Sequence, residues 1–320
     1  MIVTVTPNPA VDITLTVGHL DPGHTHRVAP GIRRAGGKGL NVARVLTRMG
    51  TQALVVAPVG HNDLDWFGSD LGRIPSSLVE VPGNVRQSTA VVEPDRTTII
   101  NETGVGVDAE FWTELLATVT GRLTDATCLV VSGSVPPGCP DTLYGDLVAA
   151  GRAADIPVIA DATGTQLRNA AVAGATVLKP NASELLDTTG ESDPVAGARA
   201  LQSMGAGLVL VSLGEAGMIA VPADRAEPVL AARLGRILTG NPTGAGDAGV
   251  AGVAALLALN ARAHLDTRAI LARATAWSAA AVLEPIAGEV APARIADLER
   301  EITISAYEGQ ATTGTQKRES

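Results

Sequence analysis

The sequence predicts an α/β fold of three layers, with helices on both faces of a mainly parallel sheet and a small β-sheet lid beside it. From residue 108 onward, short Val-, Ile- and Leu-rich runs alternate with stretches of helical period. That alternation packs as a parallel sheet joined by right-handed crossovers. Two further β-rich runs, Ser88–Val92 and Thr97–Ile100, flank the turn Glu93-Pro94-Asp95 with no helix between them, so they belong to a second sheet. A chain of 320 residues suits one open α/β domain of this kind.

Taken in order, residues 2–6 form a buried first strand that Pro7 ends, and Asn8-Pro9-Ala10-Val11-Asp12 leads into a second strand, Ile13 to Val17. Residues 18–31 are rich in Gly, Pro and His and have no helical period. Leu40 to Met49 is an amphipathic helix opening on the loop Gly36–Gly39, and Ala53 to Val59 is a strand. Beyond the second sheet come helix 109–124, strand 128–132, helix 141–154, strand 156–160, a helical stretch 165–173 and strand 176–179. Helices 182–189 and 194–204, strand 207–212, a β-rich region from Gly217 to Leu238 and helices 246–260, 266–284 and 292–303 complete the order. The domain is expected over residues 1–305, with a lid drawn from about 11–30 and 84–102. The polar tail 306–320 reads as disordered.

Apolar residues make up 46% of the chain and aromatic ones 2%, so the core must be built from small aliphatic side chains. A net charge of −9 argues against nucleic acid or an anionic membrane as partner, and any affinity for phosphate must come from locally placed Lys, Arg and amide groups. The start Met1-Ile2-Val3-Thr4-Val5-Thr6-Pro7 lacks a basic leader and reads as a strand, so a cytoplasmic location is expected. Cys128 and Cys139 have no metal or redox spacing, and His24-Thr25-His26 reads as surface loop before it reads as a metal site.

The chemistry concentrates in Asn241-Pro242-Thr243-Gly244-Ala245-Gly246-Asp247-Ala248-Gly249, a turn that opens an apolar helix. Backbone N–H groups of Gly244, Ala245 and Gly246 at a helix N-terminus favour an anion. A carboxylate there would oppose a bound phosphate, but Asp247 fits if it takes a proton from a hydroxyl that attacks a phosphoryl group. The same letters, G-x-G-x-x-G, also match a dinucleotide fingerprint, which leaves an NAD-dependent oxidoreductase open; a catalytically silent sugar-binding sensor is open too. Lys179-Pro180-Asn181-Ala182-Ser183-Glu184 sits at the C-terminal end of a strand, where open α/β sheets bind ligands. Asn181 and Glu184 can be a helix capping box or oxygen ligands for Mg²⁺. Ser212-Leu213-Gly214-Glu215-Ala216-Gly217 follows another strand and lets backbone approach a flat or anionic ligand.

The Asn241–Gly249 stretch resembles the C-terminal signature of the PfkB family of ribokinase-like sugar kinases, and Ala35-Gly36-Gly37-Lys38-Gly39-Leu40-Asn41-Val42-Ala43 resembles its N-terminal signature. Both occur in the family's order. The resemblance implies a ribokinase-like fold, ATP as phosphoryl donor, Mg²⁺, and Asp247 as general base. It implies nucleotide binding by Lys179, Asn181, Ser212, Gly214, Gly217 and Thr243, and a role for Asn181 and Glu184 in holding Mg²⁺ through water. It assigns sugar binding to Asp12, Gly37 and Asn41, while the local cations an acidic chain needs for a sugar phosphate are Lys38 in the glycine loop and Arg27 and Arg86 of the lid, Arg86 standing where relatives carry an Arg. Thr6-Pro7-Asn8-Pro9-Ala10-Val11-Asp12, the Gly-Gly-Lys-Gly loop and Asn241-Pro242-Thr243-Gly244 look most like the family's 1-phosphofructokinase and tagatose-6-phosphate kinase branch. Fructose 1-phosphate going to fructose 1,6-bisphosphate is therefore the expected reaction, with tagatose 6-phosphate and fructose 6-phosphate open as acceptors. A homodimer paired through the lid is also implied.

Overall fold

The computed structural model describes residues 1–259 and 266–309. The chain begins β1 (Ile2–Val5), β2 (Ala10–Thr16), β3 (Ile32–Gly36), α1 (Lys38–Arg48), β4 (Ala53–Gly60), α2 (Leu64–Leu71) and β5 (Ser76–Val81). It continues β6 (Arg86–Val92), β7 (Thr97–Asn101), α3 (Ala109–Thr120), β8 (Cys128–Ser132), α4 (Leu143–Ala153), β9 (Val158–Asp161), α5 (Gly164–Val172) and β10 (Val177–Leu178). Then follow α6 (Ala182–Thr189), α7 (Pro194–Met204), β11 (Leu208–Ser212), β12 (Met218–Val221), β13 (Leu230–Leu234), α8 (Ala245–Leu259), α9 (Thr267–Val282), α10 (Pro292–Glu301) and β14 (Ile302–Ala306).

Ten strands form the main sheet in the order β14-β13-β12-β11-β10-β9-β8-β1-β4-β5. It is parallel from β11 to β5, and β12, β13 and β14 extend it antiparallel. Alternation along β1 sends Ile2 into one hydrophobic cluster and Val3 into the other. The first cluster packs α1, α2, α8, α9 and α10 against the sheet, and the second packs α3 to α7. Burying both faces is what makes these strands continuous apolar runs. The chain leaves β1 toward β4 and β5 on one side and later fills β8, β9 and β10 on the other. The crevice beyond the C-terminal ends of β1 and β8 is therefore the topological switch point, where such sheets bind ligands.

The lid is a separate sheet in the order β3-β2-β6-β7. Its boundaries differ from the sequence expectation, because Ile32–Gly36 forms a full strand antiparallel to β2 and lies outside residues 11–30. The stretch Ile32-Arg33-Arg34-Ala35-Gly36 has no alternation of its own and is a strand only because β2 pairs with it. The helix α2 and edge strand β5 also lie outside the expected elements. At the far end, β14 pairs with β13 and carries the ordered chain through Ala306. Most of the tail expected to be disordered, residues 310–320, lies outside the described residues.

Candidate active site

Four strand ends and the starts of three helices, α1, α6 and α8, build the site. The last residues of β8 and β9, Ser132 and Asp161, lie side by side, with Ser132 Oγ donating to Asp161 Oδ2 at 3.2 Å. Beyond β10, buried Lys179 donates from Nζ to Ser212 Oγ at the end of β11, at 3.2 Å. The next residue but one, Asn181, caps α6, and both arms of the capping box form. Asn181 Oδ1 accepts from Glu184 N at 2.8 Å and Glu184 Oε2 accepts from Asn181 N at 2.9 Å. The capping reading of this pair is therefore correct, and it leaves Glu184 Oε1 facing Lys38 Nζ at 3.5 Å.

Asp247 lies in the first turn of α8, 5% exposed. Its Oδ2 accepts from Asn41 Nδ2 of α1 at 2.9 Å, which joins the two glycine-loop motifs across the crevice. Gly244 adopts φ 84°, a left-handed conformation that glycine enters without strain, and this bends the chain into the helix. Pro242 O takes the N–H of Ala245. The N–H groups of Gly246 and Asp247 that follow find no acceptor among the described residues and stand at the helix start, before Ala248 N bonds Gly244 O. Asn241 pins the turn from both sides, donating to Pro285 O and accepting from Thr243 N. Thr243 Oγ1 is buried and has no hydrogen-bond partner among the described residues. Burial pushes the Asp247 carboxyl up to about 6, with Lys38 opposing and Asp161 adding to the rise.

Lys38 stands between the acids. Its Nζ is 3.3 Å from Asp161 Oδ1, and the fields of Asp161, Glu184 and Asp247 outweigh its burial, so it holds its proton more tightly than an ordinary lysine. On the lid side, Asp12 lies over Gly36 so closely that a Cβ there would sit 2.0 Å from Asp12 Oδ2, and a larger residue would displace the carboxylate. Burial pushes Asp12 up to about 6 against the Gly37 N–H and the charges of Arg86, Arg44 and Arg34. Asp12, Asn41 and Thr243 line one cleft of about 470 Å³ that opens to solvent.

The structure thus brings Asp12, Gly37, Lys38, Asn41, Asp161, Glu184 and Asp247 around one crevice, with Lys179 and Ser212 adjoining. Gly214 and Gly217 shape the turn between β11 and β12 on the same side. Arg86 reaches the site's edge, where its Nε and one terminal nitrogen donate to Asn8 O at 3.2 and 3.1 Å and the other to Glu102 O at 3.1 Å. Arg27 is exposed in the connection between β2 and β3 and does not line the cleft. His26 contacts the backbone of Asp21 on the same exposed connection. Sequence reasoning missed Asp161 and Arg34. The first carried a signal, an acid closing a buried apolar strand at its C-terminal end; the second is visible only once β2 and β3 pair.

Among the described residues, no group of three or more His, Cys, Asp or Glu is placed to cage a metal. The oxygen donors present, Glu184 and Asp161 beside Asn181, fit Mg²⁺ of the kind carried mostly by water and phosphate oxygens.

A family model for pfkB family carbohydrate kinases matches residues 6–294, and the chain belongs to that family. By class it is an ATP-dependent sugar kinase. It is 33% identical over 318 residues to 1-phosphofructokinase of Xanthomonas campestris pv. campestris, covering 95% of this chain and 98% of the relative. Among solved structures, phosphofructokinase-2 from Escherichia coli in complex with substrates and products matches with a TM-score of 0.82 at 25% identity, covering 93% and 98% of the two chains. Ribokinase from Giardia lamblia matches in fold, with a TM-score of 0.70 at 18% identity over 92% and 98%. The dinucleotide reading of Gly244–Gly249 is set aside, because the next described element after α8 is the helix α9 and no βαβ unit surrounds the loop.

Proposed function

We propose that this chain transfers the γ-phosphoryl group of ATP to a hydroxymethyl group of a ketohexose phosphate, fructose 1-phosphate being the preferred acceptor and fructose 1,6-bisphosphate the product. The observation that carries it is the buried Asp247 carboxylate at a helix N-terminus, held by Asn41, which lines a cleft together with Asp12. The likeness to a 1-phosphofructokinase supports the acceptor.

In this reading Asp247 takes the proton of the attacking hydroxyl, and the amides of Gly244 and Gly246 meet the charge that develops on the transferred group, that of Ala245 being held by Pro242 O. Asp12 accepts from adjacent sugar hydroxyls, with Gly37 and Asn41 fixing the ring. Lys38 bridges the sugar and the phosphoryl group. Arg86 holds the lid against the Asn8 turn and adds positive potential beside Asp12. Lys179, Asn181, Ser212, Gly214, Gly217 and Thr243 take the nucleotide, the unpartnered Thr243 hydroxyl being a donor ready for it. Mg²⁺ bound with ATP supplies charge neutralisation on the phosphates; Asn181 and Glu184 would hold it through water.

Comparing kcat/KM for fructose 1-phosphate, tagatose 6-phosphate, fructose 6-phosphate and fructose tests the acceptor. Fructose 1-phosphate should lead, and a higher value for either of the other two phosphates would replace it.

The same reading includes a homodimer through the lid. Ile32 and Ile99 lie on the cleft-side face of the lid sheet at 48% and 46% exposure, and Ile100 on its other face is 61% exposed. Among the described residues no further strand pairs with either lid edge, β3 or β7. Isolated sheets with such edges and faces are covered in stable proteins. Light scattering at micromolar concentration should give twice the chain mass; a monomer would remove this claim.

A further inference from the structure

We propose that Arg34 is the lid side chain that reads the phosphate the sugar already carries, an assignment that rests on the sugar-phosphate kinase reading above. It comes from the register of the lid. Arg34 of β3 pairs with Asp12 of β2, Asp12 pairs with Ser88 of β6, and Ser88 pairs with Asn101 of β7. Directly paired residues point to one face, so a single polar row crosses all four strands. Ser88 Oγ donates to Asn101 Oδ1 at 2.7 Å within it. Arg34, Asp12 and Ser88 all line the cleft that Asn41 and Thr243 line from the body.

The neighbouring rows on that face have less to offer an anion. The outer one is Ile32, Thr14, Ala90 and Ile99, with no charge to hold an anion. The inner one is Gly36, Ala10 and Arg86, whose guanidinium is committed on three sides to the carbonyls of Asn8 and Glu102. Arg34 makes one side-chain hydrogen bond among the described residues, from a terminal nitrogen to Glu289 Oε1 at 2.9 Å. Its side chain is 19% exposed, so the cleft is its outlet.

The charges give the pair its meaning. A phosphorylated sugar lying along Asn41 and Asp12 would bring its anion toward two carboxylates, Asp12 and Glu289. Arg86 and Arg44 also lie near Asp12, but Arg86 is held by the carbonyls of Asn8 and Glu102 and Arg44 by Asp70 and Ala35 O, which leaves Arg34 as the cation able to turn toward the anion. A guanidinium can turn its planar fork from one carboxylate oxygen to two phosphate oxygens and gain in charge-assisted bonding. Glu289 then serves as the counter-ion of the empty cleft and the competitor of the filled one.

Calorimetric titration of fructose 1-phosphate, tagatose 6-phosphate and unphosphorylated fructose, without nucleotide, tests this on the wild type and on Arg34→Ala, Arg34→Lys and Glu289→Gln, each checked for native circular dichroism. Arg34→Ala should weaken the better-binding sugar phosphate by ~10- to 100-fold and leave fructose within about threefold. Arg34→Lys should recover part of the loss, and Glu289→Gln should bind the sugar phosphate as well as wild type or better. Equal weakening for phosphorylated and free sugar, or the same loss in Glu289→Gln as in Arg34→Ala, would mean that the ion pair only braces the lid, and would overturn the assignment. So would unchanged affinity in Arg34→Ala. A wild type that binds sugar phosphates no better than fructose would overturn the sugar-phosphate reading itself, a failure distinguishable from that of Arg34 alone.

Discussion

Replacing Asp247 by Asn is expected to lower kcat by ~10²–10⁴-fold, the range a positioned general base contributes. The amide keeps the shape of the side chain and its oxygen can still accept from Asn41 Nδ2, so the helix start and the nucleotide site should survive. What it loses is the capacity to take a proton. Burial raises the Asp247 carboxyl to about 6, and a base works only when ionised. The wild-type rate should therefore rise with pH through about 6 and level off above it, and this acid limb should be missing from whatever activity the variant retains. Steady-state kinetics at saturating substrates measure both. Nearly wild-type turnover in Asp247→Asn would end the assignment.

The second large effect is expected at Lys38. Its ammonium faces Asp161 at 3.3 Å and Glu184 at 3.5 Å, and of the influences on Asp247 its field is the main one that lowers the pKa. Lys38→Met should cost ~10²-fold or more in kcat by removing a fixed positive charge aimed at the transferred group. It should also shift the acid limb of the pH profile upward from about 6, because Asp247 then faces buried Asp161 without the intervening cation. Lys38→Arg should restore the position of the limb better than it restores the rate, since charge is kept and geometry is not. A purely structural lysine would lower the amount of folded enzyme and leave the limb where it was.

These two residues were legible as motifs, and so was much of the fold. The strands that carry the site are buried on both faces, which turns their sequence into plain apolar runs such as Cys128–Ser132 and Leu208–Ser212. The elements that escaped notice are those whose identity depends on a neighbour. The edge strand β5 pairs only with β4 and is half-exposed. The helix α2, Leu64–Leu71, is short and buries only Phe67 and Leu71. Asp161 stood in view as an acid ending a strand, but only the fold shows that it shares Lys38 with Glu184. Arg34 could not be singled out from Arg33 beside it, because only the pairing of β3 with β2 decides which of the two faces the cleft. Arg27, favoured from its place in the lid segment, lies outside the strands altogether.

The reading of the site rests on one event, the passage of a phosphoryl group from ATP to a sugar hydroxymethyl oxygen at Asp247. Phosphorus NMR of the wild-type protein incubated with MgATP and fructose 1-phosphate follows it directly. The account predicts ADP and a second phosphomonoester resonance growing together in equal amounts, with neither appearing at a comparable rate for Asp247→Asn. ADP accompanied by inorganic phosphate and no new sugar phosphate, or ATP left unconsumed with every ketohexose phosphate offered, would contradict it.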